Sequence, residues 1–346
     1  MGKEAIACFV TYTNTDIELK MIAAERNAKH GYQMSNKDKK NLAIEVCGSY
    51  SNEEIAKILS VSVRTVSDWT QNKRQSDEEK RNEDIFSEYL KGWNTQEAIA
   101  ERYGITKQAV SKIIEKLSTN SNIAKSLQNF KPIIYSIWNT EKGDGVSHFG
   151  AFPIVFMENL IYYHTEPMDI VYDPFAGNGT TVDVCKAWQR RYYCSDRIVK
   201  AGREDDIKLW DIANGLPNDL QKPDFVFLDP PYWKQAEKMY SEDKECLGNM
   251  SLDDFYATLE KFLKELIGRK VKRIAIVIMP TQWKNDKKYE DHIFKLAKVF
   301  NGKYEIEMRR ILPYSTQQYN AQMVEKAKEE KICLVTHRDL VVWRLL

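Results

Sequence analysis

Residues 226–233 read VFLDPPYW, an apolar run that ends in a carboxylate, two prolines and two aromatic rings. Val226, Phe227 and Leu228 show no polar alternation and read as a short strand buried on both faces. Pro230 and Pro231 stop it, because proline has no N–H to give a sheet ladder and its φ is fixed. What is left at the carboxyl end is one acid, rigid carbonyls and a flat ring. In open α/β sheets that edge is where ligands bind.

A second stretch, DIVYDPFAGNGTTVDVCKAW (169–188), reads as a strand, a glycine-containing turn and a helix starting near Thr180. Gly177 and Gly179 let the backbone approach a ligand closely, and the helix start offers free N–H groups. No Gly-Lys-Ser/Thr follows, which excludes a P-loop. Val182 stands where a third glycine would complete a dinucleotide fingerprint. Asp173 ends the strand before this turn, and Asp196 ends the next strand, RYYCSD, at the place where such folds hold a ribose hydroxyl. IKLWDI adds Asp211 at the end of a third candidate strand. Helix capping or a solvated loop is the plainer alternative for Asp196 and Asp211.

The elements that position these residues fill 133–346, where strands and helices alternate. SLDDFYATLEKFLKEL (251–266) is an amphipathic helix and RIAIVIMP (273–280) a buried strand. YEIEMRRILPY (304–314) and KICLVTHRDLVVWRLL (331–346) read as closing antiparallel strands. A loop and helix are expected over 315–331, and a polar loop, a candidate lid, over 234–250. The chain of 346 residues is 43% hydrophobic and 29% charged, with a net charge of +1. Bulk electrostatics therefore neither announces nor excludes a nucleic-acid partner. No apolar run approaches bilayer length, and the N-terminus has no signal-peptide layout. The six cysteines form no CxxC pair, which favours reduced thiols. The five histidines show no metal-ligand spacing, and His148 and His164 read as structural.

Upstream, EEIAKILSVSVRTVSDW (53–69) and EAIAERYGITKQAVSKI (97–113) are two copies of one pattern. Each reads as a short helix, a tight turn and a second helix capped by Ser62 or Thr106. Together they resemble the helix-turn-helix of DNA-binding proteins. The recognition helices would be 62–72 and 106–117, with Arg64, Thr65, Lys107, Gln108 and Lys112 as DNA contacts. Segment 36–117 balances its basic and acidic residues, so two plain helical hairpins are the competing reading. Residues 21–46, with N-x-x-H-G at 27–31, resemble the lead-in of ParB-like proteins. Residues 5–20 would then hold the last strand of a remnant domain, and 118–132 a linker.

DPFAGNGTT and LDPPYW together resemble the amino-methylating DNA methyltransferases, which use S-adenosylmethionine to methylate adenine N6 or cytosine N4. The resemblance covers about 133–346, and the whole is similar to phage or bacterial methyltransferases fused to ParB-like modules. It implies an α/β fold: a Rossmann-like, mostly parallel sheet with an antiparallel closing strand, behind an N-terminal all-α helix-turn-helix region. The implied division is 1–35, 36–117, a linker at 118–132, and a catalytic domain at 133–346.

The resemblance makes Asp173, Pro174, Phe175, Ala176, Gly177, Gly179, Thr180 and Thr181 the cofactor loop, with Asp196 and Asp211 as further cofactor contacts. Residues 147–167 resemble the segment that closes over the methionine part. Asp229, Pro230, Pro231 and Tyr232 become the catalytic tetrapeptide. Asp229 and the Pro230 carbonyl would accept the two N–H bonds of an exocyclic amine, aiming its lone pair at the methyl group without a covalent intermediate. The base must leave the duplex, so Tyr232 and Trp233 would stack on it. An Asp at the head of the tetrapeptide favours adenine. N4-cytosine methylation, RNA base methylation and a DNA-binding regulator with an inactive methyltransferase fold are the alternatives.

Double-stranded DNA is the implied partner, with no metal and no membrane; a homodimer is left open. A cytoplasmic protein of bacterial, archaeal or phage origin is expected, and restriction–modification is one setting among several.

Overall fold

The computed structural model describes residues 12–29, 34–118, 130–139, 152–233, 245–282, 288–313 and 319–346. Much of the expected linker and lid, the start of the 147–167 segment, and His30–Gly31 of the N-x-x-H-G pattern lie outside them. The chain forms two compact units, Met1–Asp84 and Ile85–Leu346.

The smaller unit holds α1 (Asp16–Lys29), α2 (Asn36–Val46), α3 (Asn52–Leu59) and the first part of α4 (Val63–Leu90), within which the division falls. Of the stretch 5–20, where a strand was expected, residues 5–11 lie outside the described residues and those from Asp16 on are helix. Asp16 and Glu18 suit the positive end of a helix dipole, and Met21 and Ala24 of α1 are buried against Leu42, Val46 and Ile55. Ser51 and Glu54 close a capping box on α3, and Ser60 ends it at a positive φ of 52°. Ser62 Oγ accepts from Thr65 N at 3.0 Å and starts α4. These are the expected helices and turn, but α4 runs on to Leu90, well past 72. Residues 63–90 contain neither glycine nor proline, so nothing local stops the helix until Lys91–Gly92.

The larger unit begins with the rest of α4, then α5 (Gln96–Tyr103) and α6 (Lys107–Leu117), capped by Thr95 and Thr106 and joined through Gly104 at φ 63°. Ile85, Ile99, Val110 and Ile114 form their shared core. This pair is fastened to the amino end of a sheet strand, β2 (Arg191–Asp196). The buried Arg191 guanidinium donates to Tyr89 O at 3.1 Å and Asn94 O at 2.9 Å. Gln189 Nε2 reaches Leu117 O at 3.1 Å. Gly92 N donates to Tyr192 O, and a Cβ at Gly92 would come within 3.0 Å of that same oxygen.

The remaining elements are α7 (Ile154–His164), β1 (Ile170–Asp173), α8 (Thr180–Ala187), β3 (Ile207–Leu209), β4 (Phe225–Leu228), α9 (Leu252–Gly268), β5 (Arg273–Ile278), β6 (Thr281–Gln282), β7 (Tyr289–Glu290), α10 (His292–Phe300), β8 (Tyr304–Pro313), α11 (Ala321–Glu330) and β9 (His337–Leu345). Seven strands make one sheet in the order β3-β2-β1-β4-β5-β9-β8, and β6 pairs with β7. β1 to β5 are mutually parallel; β9 is antiparallel to both β5 and β8. β9 alone therefore runs against the rest, whereas both C-terminal strands were expected to, and it begins at His337 rather than near 331.

Successive strand residues point to opposite cores, which is why the runs are apolar throughout. Val171, Phe225 and Phe227 face α7 and α8, while Tyr172, Val226 and Leu228 face α9 and α10. Among the described residues no helix is long and apolar enough to cross a membrane.

Arg191→Ala removes the guanidinium donor from Tyr89 O and from Asn94 O, of which the second keeps only Gln221 Nε2 at 3.4 Å. Thermal unfolding should report a loss of roughly 2–4 kcal/mol, and limited proteolysis should cut first within 85–118.

Candidate active site

The strand order reverses beside β1, so loops leaving β1 and β4 in opposite directions open a crevice at their carboxyl ends. Asp173 ends β1, Asp196 ends β2 and Asp229 follows β4. A cavity of about 670 Å³ takes in all three acids.

Asp173 is buried and turns inward on its own loop. Its Oδ1 accepts from Phe175 N at 2.9 Å, and its Oδ2 accepts from Thr181 Oγ1. The loop then needs two left-handed residues, Gly177 at φ 51° and Gly179 at φ 86°, before α8 starts at Thr180. Asp196 clamps it from the next strand: Gly177 N donates to its Oδ2 at 2.8 Å and Ile198 N to its Oδ1 at 3.0 Å. Asp211 is held by Arg197 Nε at 2.7 Å and caps a short turn by accepting from Ala213 N at 2.8 Å. The capping alternative for Asp211 is thus realised, on the cavity wall.

Opposite the loop, Asp229 Oδ1 accepts from Tyr232 OH at 2.9 Å. Burial raises the Asp229 carboxyl to about 6, opposed by the positive charge of Arg338 and by the Tyr232 bond. Burial likewise raises Asp173 to about 7, against its two hydrogen bonds and with the nearby charge of Asp229 adding to the rise. Asp196 is also raised by burial, although backbone N–H groups pull it back.

Of the residues expected at the site, Asp173 to Gly177, Thr180, Thr181, Asp196, Asp211 and Asp229 to Tyr232 all line the cavity. Gly179 does not, since it serves the turn. Trp233 is a correction: it is only 4% exposed, packs in the core, and its indole Nε1 donates to Met250 O at 2.9 Å. An indole bonded at its polar edge and packed on its faces offers no wall to a ligand.

Trp210 and Thr258 on the wall were not expected, nor was Arg338 nearby with its guanidinium 5.6 Å from the Phe152 ring, while Phe152 and Met250 belong to the expected 147–167 and 234–250 segments without having been named. Arg338 arrives because β9 runs antiparallel, which brings its amino end to the carboxyl edge of β5. Trp210 stands beside Asp211 in IKLWDI, the one signal in the sequence that bore on it.

Of the proposed DNA contacts, those in the larger unit, Lys107, Gln108 and Lys112, do not line this cavity. In the smaller unit Arg64 is exposed, and Thr65 is tied to the Ser62 cap at 2.7 Å. In the larger unit Gln108 and Lys112 are exposed, and Lys107 pairs with Glu97 at 2.5 Å. Their helix pair packs at the amino end of β2, while the cavity opens at the carboxyl end. Among the described residues no cluster of His, Cys, Asp and Glu could hold a metal ion.

The raised Asp173 carboxyl has a stability consequence with a definite sign. Below its ordinary value of 3.8 both folded and unfolded chains hold the proton. Between 3.8 and about 7 only the folded chain does, so stability falls as pH rises through this window. Asp173→Asn should therefore unfold like the native chain at pH 4 and gain roughly 1–4 kcal/mol over it by pH 8; urea titrations at the two pH values decide this.

The sequence pattern of the N6/N4 methyltransferase family, described as DNA methylase, matches residues 10–200, more than half of the chain. The match takes in the glycine loop and stops before Asp229. A Type II methyltransferase, M.XycI of Xanthomonas campestris pv. cyanopsidis, is 41% identical over 58 residues, 16% of this chain and 19% of that protein. The chain thus matches about a fifth of the length of this curated relative.

TrmN from Thermus thermophilus aligns with 56% of this chain and 49% of its own, at 14% identity and a TM-score of 0.37. An rRNA methylase from Streptococcus thermophilus aligns with 57% and 98%, at 14% identity and a TM-score of 0.34. By the family match, the chain belongs to the N6/N4 DNA methylase family, whose methyl donor is S-adenosylmethionine.

Proposed function

We propose that this chain transfers a methyl group from S-adenosylmethionine to the exocyclic N6 of an adenine flipped out of duplex DNA. The observation that carries the reading is the shared cavity: Asp229 to Tyr232 face the Asp173–Thr181 loop across one space. Its volume lies within the roughly 300–1,000 Å³ of small-molecule sites.

The chain's residues fit the donor. At Gly177 an added Cβ would meet nothing nearer than Phe175 O at 3.9 Å, so the loop leaves room for a ligand against its backbone. Asp173 to Gly177, with Thr180 and Thr181, would hold the methionine part, Asp196 a ribose hydroxyl, and Asp211 the outer end, while Gly179 shapes the turn. When bound, S-adenosylmethionine supplies an electrophilic methyl group.

The remaining work belongs to the catalytic tetrapeptide. An exocyclic amine is a poor nucleophile because its lone pair is delocalised into the ring. Asp229 and the Pro230 carbonyl accept its two N–H bonds and hold the nitrogen closer to tetrahedral, with the lone pair aimed across the cavity. The prolines keep both acceptors still, which is preorganisation rather than acid–base power. With its carboxyl at about 6, Asp229 is mostly ionised at neutral pH and is the nearest acceptor for the proton the alkylated nitrogen sheds. The Tyr232 hydroxyl holds the carboxylate in place, and its ring supplies the stacking face. Asp at the head of the tetrapeptide supports adenine over cytosine.

DNA binding is assigned to the two helix pairs. Since the second is anchored at the amino end of β2, it would hold duplex away from the reacting base at the carboxyl end.

Mass spectrometry of nucleosides, after incubating the chain with S-adenosylmethionine and unmethylated DNA, tests the reaction. N6-methyladenine should form and fall at least about 100-fold with Asp229→Ala. N4-methylcytosine would move the base, and no methylated base despite bound cofactor would overturn the DNA reading. For the helix pairs, Arg64→Ala and Lys112→Ala should each weaken DNA binding and lower the salt slope by about 1; an unchanged slope would remove that residue from the interface.

A further inference from the structure

Trp233 leaves the catalytic tetrapeptide and is gripped at two points. Its indole donates to Met250 O, and its backbone carbonyl accepts from Thr281 Oγ1 at 3.3 Å. Thr281 is there for a topological reason: it follows β5, the parallel neighbour of β4, so the residues leaving both strands meet at one edge.

Behind Thr281 lies a chain of buried polar groups. Thr281 Oγ1 is 3.0 Å from His292 Nε2, and His292 Nδ1 is 2.8 Å from Tyr256 OH. Tyr256 OH is also 2.8 Å from Glu290 Oε1, and Glu290 pairs with Lys288 at 3.5 Å. His292 and Glu290 are 1% and 3% exposed.

Counting hydrogens decides what the chain can do. Burial lowers His292 to about 4, with Glu290 and Asp291 opposing, so at neutral pH the ring carries one hydrogen. On Nε2, that hydrogen goes to Thr281, and the Thr281 hydroxyl hydrogen is released to the Trp233 carbonyl. Nδ1 then needs the single Tyr256 hydrogen, and Glu290 Oε1 gives it up. On Nδ1, the ring would instead take the Thr281 hydrogen at Nε2, and the carbonyl would lose it. The three hydrogens of Thr281, His292 and Tyr256 cannot serve all four links: the Trp233 contact requires the Nε2–H form, and the Tyr256–Glu290 contact requires Nδ1–H.

We propose that Thr281 and His292 are positioning residues for the catalytic segment, holding Asp229 to Tyr232 in register through the carbonyl of Trp233. The proposal deepens the methyltransferase reading of that segment and rests on it. Neither residue touches the cavity; both act through Trp233. A displacement of about 1 Å at a reacting group costs up to about 100-fold in rate, so a loosened Trp233 would show in turnover before it showed in cofactor binding.

Thr281→Val keeps shape and removes the hydroxyl, Thr281→Ser restores it, and His292→Gln offers an N–H and a carbonyl in similar places. Methyl transfer to DNA, S-adenosylmethionine affinity and Tm are measured on all three. In parallel, the Trp233 indole signal is followed in ¹⁵N–¹H spectra, where Trp233→Phe identifies it. Thr281→Val should lower kcat about 10- to 100-fold, leave cofactor affinity within about 2-fold and shift the indole signal, with Thr281→Ser close to the native chain and His292→Gln between. An unchanged kcat for Thr281→Val overturns the proposal. So does a loss that tracks Tm and that Thr281→Ser does not repair. If the native chain transfers no methyl group, the functional reading fails separately. The indole signal then decides alone, and a signal unmoved by Thr281→Val rejects the lock.

Discussion

The hydrogen bond from Gly177 N to Asp196 is the contact on which the cavity depends. It ties the loop after β1 to the end of β2, and with Ala176 N donating to Ser195 O it sets how far the loop stands off the sheet. The bond is charge-assisted, and its donor sits at a positive φ that glycine reaches without strain. A side chain at 177 would have to pay that conformational cost and would also project into the space left beside Phe175 O. Loop geometry, ligand room and the orientation of the Asp196 carboxylate thus follow from one residue pair.

Three acids at neighbouring strand ends carry an electrostatic cost. Burial raises each of them, and at Asp173 the charges of Asp229 and Asp196 add to the rise, so Asp173 goes up to about 7 and Asp229 to about 6. Arg338 counters this at Asp229 from the far side of the sheet's parallel part. Such arrangements weaken the fold where they occur and are tolerated because the surrounding packing is extensive: two aromatic-rich cores, one on each face of the sheet, hold the strands that carry the acids.

The second helix pair shows how a repeated pattern can mislead about placement. Its likeness to the first concerns local features: caps at Thr95 and Thr106, a left-handed Gly104, and a small Ala100 at the crossing. These make the same helices, but they say nothing about what the pair rests on. Its attachment runs through Arg191, Gln189 and Gly92, which are remote from the repeat or lie between the copies, and it groups the pair with the sheet rather than with its twin.

The sequence by itself determined the parts that local chemistry controls. Apolar runs closed by Asp-Pro-Pro or Asp-Pro-Phe make short strands with an acid at the exit, and Ser and Thr caps mark where helices begin. Glycines mark the turn that only they accommodate. That sufficed for the sheet, the loop and the tetrapeptide. Only the tertiary structure decided that Trp233 turns inward as an anchor, that Trp210, Thr258 and Arg338 join the site, that Thr281 and His292 stand behind it, and that α4 continues into the second unit. These outcomes depend on contacts between residues far apart in the chain and on how much water each group loses, and neither quantity is written in the spacing of neighbouring residues.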